Sequence, residues 1–338
     1  MNTIRRPGPG RKAGRADCGQ VFDKRPSRRY KENAMKILIT GGTGFIGGRL
    51  AARLAGEGRD VVILSRSRRS PSEQAPRISY LEGDPTRPGP WQEAVRKCEA
   101  AVNLAGTSIF SPWTRPNKLR ILESRVAATR NLVESTAAGG PKPAVLVSAS
   151  AIGYYGFRGD EDVDESGLAG QDFLAGVTAA WEAEASRAEA KGVRVVRGRF
   201  GIVLGGRGGA LGQMLPLYRL GLGGPLGSGR HWFSWIHVDD LVAALVFALD
   251  HPALAGAVNM AAPAPVRNRD LAKALGRALR RPAVLRVPGF ALRIALGEFS
   301  LALLRGQKVI PAKLLAAGFV FRYPGIDAAL AQILAKPK

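Results

Sequence analysis

The chain has 338 residues, 46% hydrophobic and 23% charged, an ordinary composition for a globular protein with a large core. Cys18 and Cys98 lie far apart, and His231, His237 and His251 are scattered, which argues against a disulfide framework, a structural zinc site or a histidine metal cluster. The formal net charge of +23 permits polyanion binding, but arginine-biased composition plus an anionic cofactor explains it as well, and no nucleic-acid recognition motif accompanies it.

Residues 1–34 hold ten Lys or Arg against three acids, a net +7, with no apolar periodicity, so disorder is expected there. The stretch lacks the apolar run of a secretory signal. An organelle transit peptide is one reading; a start at Met35, with an upstream extension before it, is the simpler one.

From Met35 the texture changes. Lys36-Ile37-Leu38-Ile39-Thr40 reads as a buried strand, followed by a glycine-rich turn and a helical pattern through Leu50 and Leu54. Further strands are expected at 61–64, 78–81, 100–104, 144–148 and 193–196, with helices at 118–138 and 179–191 between the later ones. This alternation predicts an α/β fold: a doubly wound parallel Rossmann sheet with a small mixed C-terminal lobe. The second half predicts loops from 205 to 229 around a helix at 211–218, then a helix at 238–249 and a strand at 256–260. Asn268 is expected to cap a helix reaching Leu279. The apolar stretch 290–304 is too short and too charged for a membrane span and reads as a packed helix. The dinucleotide-binding domain is assigned to 35–203 plus about 236–262, and the lobe to about 204–235 plus 263–338.

The glycine loop carries the clearest chemistry. Gly41, Gly44 and Gly47 follow a strand and open a helix. Gly41 permits the tight turn, Gly44 lets amides approach a pyrophosphate, and Gly47 lets helix and strand pack closely. Thr43, Phe45 and Ile46 complete the turn that presents the helix's positive end. The second strand runs into Ser65-Arg66-Ser67-Arg68-Arg69, where an NAD binder would place an acid. Ser65 and Arg66 are therefore expected to hold a 2′-phosphate, making the cofactor NADP(H). The alternative is a solvated basic loop. Asp239 and Asp240 open a helix and are expected to cap amides there.

The run Thr40 to Gly47 resembles the opening of extended short-chain dehydrogenases and nucleotide-sugar epimerases. Gly83-Asp84, Asn103-Leu104-Ala105-Gly106, Ser148-Ala149-Ser150 and Trp235-Ile236-His237-Val238-Asp239-Asp240-Leu241 match later motifs in order. More narrowly, Ser148 to Gly156, Asp172-Phe173-Leu174 with Trp181-Glu182, and the tail segments Val287-Pro288-Gly289-Phe290 and Phe321-Arg322-Tyr323-Pro324 resemble the YfcH-like epimerase-family proteins of the NAD-dependent epimerase/dehydratase group.

The resemblance implies that Asp84 lies on the adenine side and that Asn103, Ala105 and Gly106 lie beside the cofactor. It implies that Ser148 and Ser150 reach toward the nicotinamide and that Arg199 and Gly201 pass beside its carboxamide. Such enzymes use Tyr-x-x-x-Lys on one helix face, yet the corresponding helix near Phe173 to Glu184 has neither residue. Ser148, Ser150 and Tyr154 are the substitute catalytic candidates; the alternative for Tyr154 is a place in the pocket wall. Trp232 and Trp235 are expected to border the substrate cleft, or to pack in the core.

The reading is an NADP(H)-binding oxidoreductase or epimerase-like protein with an atypical site, acting on a small molecule. The alternative is a largely non-catalytic NADP(H)-binding sensor or scaffold. No membrane, metal or specific nucleic-acid partner is expected, the location is expected to be cytoplasmic, and a homodimer is an open option.

Overall fold

The structure is a computed structural model and describes residues 35–67, 75–136, 142–206 and 208–335. The basic leader and the loop residues Arg68 and Arg69 lie outside the described residues. In chain order the early strands are β1 (Lys36–Thr40), β2 (Asp60–Ser65), β3 (Ile78–Glu82), β4 (Ala100–Asn103), β5 (Val145–Ala151) and β6 (Asp162–Val163). They are followed by β7 (Arg194–Phe200), β8 (Ile202–Gly205), β9 (Trp232–Phe233), β10 (Trp235–His237), β11 (Gly256–Met260), β12 (Val266–Arg267) and β13 (Lys308–Val309).

Seven of these form one parallel sheet in the order β11-β7-β5-β4-β1-β2-β3. The other six make three two-stranded pairs, β8 with β10, β9 with β12 and β6 with β13. The main helices are α1 (Phe45–Gly56), α2 (Trp91–Arg96), α3 (Arg115–Ser135), α4 (Phe173–Ser186), α5 (Gly209–Arg219), α6 (Val238–Asp250) and α7 (Asn268–Leu279).

The central strands are apolar at consecutive positions because both faces are covered. Ile37 and Ile39 of β1 pack with Leu50 and Leu54 of α1 and Leu241 of α6. Leu38, pointing the other way, packs with Trp91, Leu132 and Val133. A separate core joins Leu211 and Leu215 of α5 to Trp235, Leu271, Tyr323 and Leu330. The tail is therefore packed against residues 204–275 rather than trailing from them.

Several expectations need correction. Helix α4 begins at Phe173, six residues earlier than the apolar pattern indicated, because Asp172 accepts from the amides of Leu174 and Ala175 at 2.9 and 3.1 Å. It ends at Ser186, and Gly192 turns the chain in a left-handed conformation into β7. Asn268 is the first residue of α7 rather than its cap, and its Oδ1 accepts from the Leu226 amide at 2.8 Å, pinning a loop. Residues 290–304 are not one packed helix. Gly297, at φ +55°, breaks them, and the first segment, Gly289–Leu296, buries nothing, leaving Phe290 and Ile294 exposed. Trp235 is wholly buried, donating from Nε1 to the Ala264 carbonyl at 3.1 Å, so it does not border a cleft.

The cap of α6 is also different from the expected one. His237 caps it through Nδ1, which accepts from the Asp239 amide at 3.1 Å, while Nε2 donates to Gln332 Oε1 at 2.8 Å. Asp239 faces Arg49 of α1 across 3.2 Å. Asp240 turns inward and its two oxygens accept from the amides of Arg322 and Tyr323, each at 2.9 Å. A buried amide without a partner costs about 1–3 kcal/mol. Asp240→Ala should therefore lower stability by about 2–4 kcal/mol, summing two such losses with partial relaxation. In urea unfolding with parallel limited proteolysis, we expect a lower midpoint and early cleavage near residue 322. A midpoint within error of wild type would show that the clamp contributes nothing.

Candidate functional site

The strand order turns back between β1 and β4, so the crevice beyond their carboxyl ends lies at the topological switch point. The glycine loop occupies that point. Gly41 sits at φ +68°, and a Cβ there would lie 2.5 Å from the Leu104 carbonyl oxygen. A Cβ on Gly47 would lie 2.3 Å from the Gly41 carbonyl oxygen. Neither approach tolerates a side chain, and together they bring the start of α1 against the ends of β1 and β4. Gly44 is the N-cap of α1 and has no side chain to satisfy the first amides, so the free donors of Phe45, Ile46 and Gly47 open at the crevice. The Phe45 ring packs where Gly205 and Gly208 carry no side chain, which closes one wall, and Thr43 lies exposed on the turn.

The edge beside β2 holds the expected phosphate residues. Ser65 is buried, and its Oγ donates to the Ser67 carbonyl at 2.9 Å, shaping the turn that exposes Arg66. Asp84 follows β3, and its Oδ1 accepts from the amide and hydroxyl of Thr86 at 2.9 and 2.7 Å. Burial works against its charge, but the Thr86 bonds and the nearby Arg66 and Arg87 charges outweigh it and hold the carboxyl below its ordinary range. Ser65, Arg66 and Asp84 are thus gathered at one end of the crevice.

A buried polar row crosses the strands at its floor. Thr40 Oγ1 donates to Asn103 Oδ1 at 2.6 Å, and Asn103 Nδ2 donates to Thr129 Oγ1 at 2.8 Å and Ser148 Oγ at 3.3 Å. Trp181 Nε1 donates to the same Thr129 oxygen at 2.8 Å. Asn103 and Ser148 are therefore engaged in joining β1, β4 and β5 to α3 and α4. Ala105 is buried beside the glycine loop, and Gly106 lies one residue beyond it.

Position 106 reveals a residue that sequence reasoning missed. A Cβ on Gly106 would lie 3.1 Å from the guanidinium carbon of Arg125, which comes from α3 and rests over the Trp181 ring at 5.2 Å. Arg125 Nη1 donates to the Ile121 carbonyl at 3.0 Å, and among the described residues it meets no carboxylate. Burial draws its pKa down to about 10, so it stays cationic at neutral pH. No spacing rule points from α3 to Gly106; the Thr107 amide donates to Ser124 Oγ of α3 at 3.1 Å and holds that loop against the helix.

The remaining candidates surround a buried ion pair. Arg199 lies within β7 rather than after it, and its Nε and Nη2 reach the two oxygens of Glu182 on α4 at 2.8 and 2.9 Å. Ser150 Oγ donates to Glu182 Oε1 at 2.7 Å, and Arg199 Nη1 donates to the Tyr155 hydroxyl at 2.9 Å. Burial alone would weaken the Arg199 charge, but the Glu182 carboxylate prevails and holds the guanidinium more firmly protonated. Burial pushes the Tyr155 phenol up to about 12 against the pull of Arg199, so it gives up no proton at neutral pH.

Tyr154 lies half-buried, its ring stacked 3.5 Å from the Arg199 guanidinium carbon. Unlike Ser148 and Ser150, its hydroxyl has no partner among the described residues. Gly201 faces protein rather than open crevice: a Cβ there would lie 3.1 Å from the Trp235 carbonyl carbon.

Among the described residues no cluster of His, Cys, Asp and Glu is arranged to hold a metal ion. No described helix is long and apolar enough to cross a membrane.

Comparison with known proteins places the chain among relatives. Residues 37–261 match the model of the NAD dependent epimerase/dehydratase family, and 287–333 match a domain of unknown function, DUF1731. The chain is 41% identical over 306 residues to the chloroplastic epimerase family protein SDR39U1 homolog of Arabidopsis thaliana, covering 90% of this chain and 88% of that one. It is 38% identical over 305 residues to the epimerase family protein YfhF of Bacillus subtilis, covering 90% and 99%. The fold superposes on the crystal structure of human epimerase family protein SDR39U1 with NADPH at a TM-score of 0.76 and 32% identity, covering 89% and 99%.

The ion pair yields a test of its own. Removing one partner of a buried pair strands the other charge, at about 3–5 kcal/mol. Glu182→Ala should lower unfolding stability by that amount in guanidinium titrations, and Glu182→Ala with Arg199→Met should recover a good part of it. Equal losses in the single and double variants would refute a paired role.

Proposed function

The chain belongs to the NAD dependent epimerase/dehydratase family, and on that footing we propose that it binds NADP(H) at the switch-point crevice and acts on a small molecule through an atypical site. The observation that carries this reading is the glycine loop, whose side-chain-free contacts aim the α1 amides at a diphosphate. The choice of NADP over NAD rests on the end of β2, where Ser65 and Arg66 stand in place of an acid. The human relative, 32% identical, carries NADPH in its crystal structure, which supports the same choice.

Arg125 belongs to this site. A half-covered cation with no carboxylate beside it among the described residues, held against the loop that follows β4, suits the negative charge of a dinucleotide. The group NADP(H) would supply is hydride transfer. The chain's own residues would grip the phosphates at Gly44, Phe45, Ile46 and Arg66, steady the ligand at Arg125, and offer the Tyr154 hydroxyl to the substrate. Ser148 and Ser150 serve as supports in this reading, because their hydroxyls are bonded to Asn103 and Glu182.

A second reading, a cofactor-binding sensor or scaffold with little turnover, draws on one specific observation. The α4 face lacks the Tyr-Lys pair, and Glu182 there is spent on Arg199.

Two measurements separate these ideas. By calorimetry, NADPH should bind at least about tenfold tighter than NADH, the scale of one charge-assisted bond. Arg66→Ala should erase that preference, while Arg125→Gln weakens both nucleotides alike. Equal affinity for the two nucleotides in wild type would overturn the NADP assignment. In a substrate screen that follows nicotinamide absorbance, Tyr154→Phe should abolish any turnover found while leaving NADPH affinity intact. Unchanged turnover would make Tyr154 part of the wall.

A further inference from the structure

Two cavities in the C-terminal half, of about 320 and 480 Å³, meet at Asp160 and Arg267. The first is walled by Arg158, Trp232, Arg305 and His231; the second by Arg230 and Arg269. Five arginines therefore face one carboxylate. His231 adds no charge at neutral pH, since burial draws its pKa down to about 4.

The cations are poorly neutralised. Arg158 donates to the carbonyls of Tyr155 and Leu168 at 3.0 and 2.8 Å, and Arg305 lies 5.7 Å from the centre of the Phe157 ring. Neither meets a carboxylate among the described residues. Arg269 reaches Asp270 only at 3.9 Å. Glu161 lies beside Gly159 at the rim of the first cavity, and among the described lining residues the carboxylate is that of Asp160. Its Oδ1 accepts from Trp232 Nε1 at 3.0 Å and from Arg267 Nη2 at 2.8 Å, although its side chain is 75% exposed. An exposed carboxylate is thus held by an indole donor and a guanidinium, a pair of groups that suits an anion.

We propose that this double cavity is the seat of the substrate's anionic part, a small organic dianion bearing carboxylates or phosphoryl groups, and that Asp160 is an internal stand-in which the ligand displaces. One anionic group takes the place of Asp160 on Arg267 and Trp232, and the other lies toward Arg305 in the same cavity. Arg158 ties the cavity to the proposed active site, because the carbonyl it holds belongs to Tyr155, next to Tyr154. The inference deepens the proposed function and rests on it for the identity of the reacting end; the charge pattern stands without it.

The test uses the full chain saturated with NADPH, so that the dinucleotide crevice is filled, and titrates inorganic pyrophosphate and succinate separately by calorimetry. At least one should bind. Asp160→Asn, which keeps a group for Trp232 but removes the competing charge, should tighten that probe severalfold. Arg305→Gln, an exposed change that leaves folding intact, should weaken it about tenfold. The tighter of the two probes identifies phosphoryl or carboxylate as the preferred group. Failure of both probes to bind, weaker binding in Asp160→Asn, or indifference to both substitutions would overturn the proposal. If NADPH itself does not bind, the cofactor reading fails on its own, and the same variants titrated without nucleotide still decide this one.

Discussion

Everything at the crevice depends on the absence of side chains at two points. Gly41 and Gly47 allow the ends of β1 and β4 and the start of α1 to meet at distances that a single Cβ would forbid. The contact gains little energy of its own. Its consequence is electrostatic: the first amides of α1, unsatisfied within the helix, are delivered to the spot where the sheet changes direction. The apolar strands beneath, covered on both faces, keep that spot rigid.

Around this frame, polar groups divide into those that hold the protein and those left for a ligand. Thr40, Asn103, Thr129, Ser148 and Trp181 satisfy one another across the sheet and its helices. Ser150, Glu182, Arg199 and Tyr155 do the same on the next strands. A buried pair such as Glu182–Arg199 adds little net stability but is costly to break, so it fixes the register of α4 on β7. Among the described residues the loop amides, Arg125 and the Tyr154 hydroxyl are left without such partners, and under the proposed function these are the groups that meet the ligand. The arginines around Asp160 form a second such surplus.

The sheet was legible in the sequence because its signals are local. Three apolar residues just before Thr40, three glycines at a fixed spacing and alternating strands and helices each lie within a short window. The placement of the candidate residues was legible only where it too is local: the glycine loop, and Ser65, Arg66 and Asp84 at one end of the crevice. Elsewhere the deciding contacts span long distances in the chain. Asp240 serves the backbone at Arg322 and Tyr323, Asn268 serves Leu226, and Arg125 meets Gly106 where the loop after β4 is tied to α3. Serines that looked like reaction partners proved to be bonded inside, since a sequence does not say which way a hydroxyl is turned. The apolar run 290–304 misled because composition alone does not reveal that its first helix faces outward.

The central claim, that amides at the start of α1 receive the dinucleotide, is tested most directly by nuclear magnetic resonance on nitrogen-15-labelled protein titrated with NADPH. The backbone signals of Thr43 to Gly47 and of Ala105 and Gly106 should move together and saturate at one equivalent. Shifts confined to residues away from the glycine loop, with those signals unmoved at saturation, would contradict it.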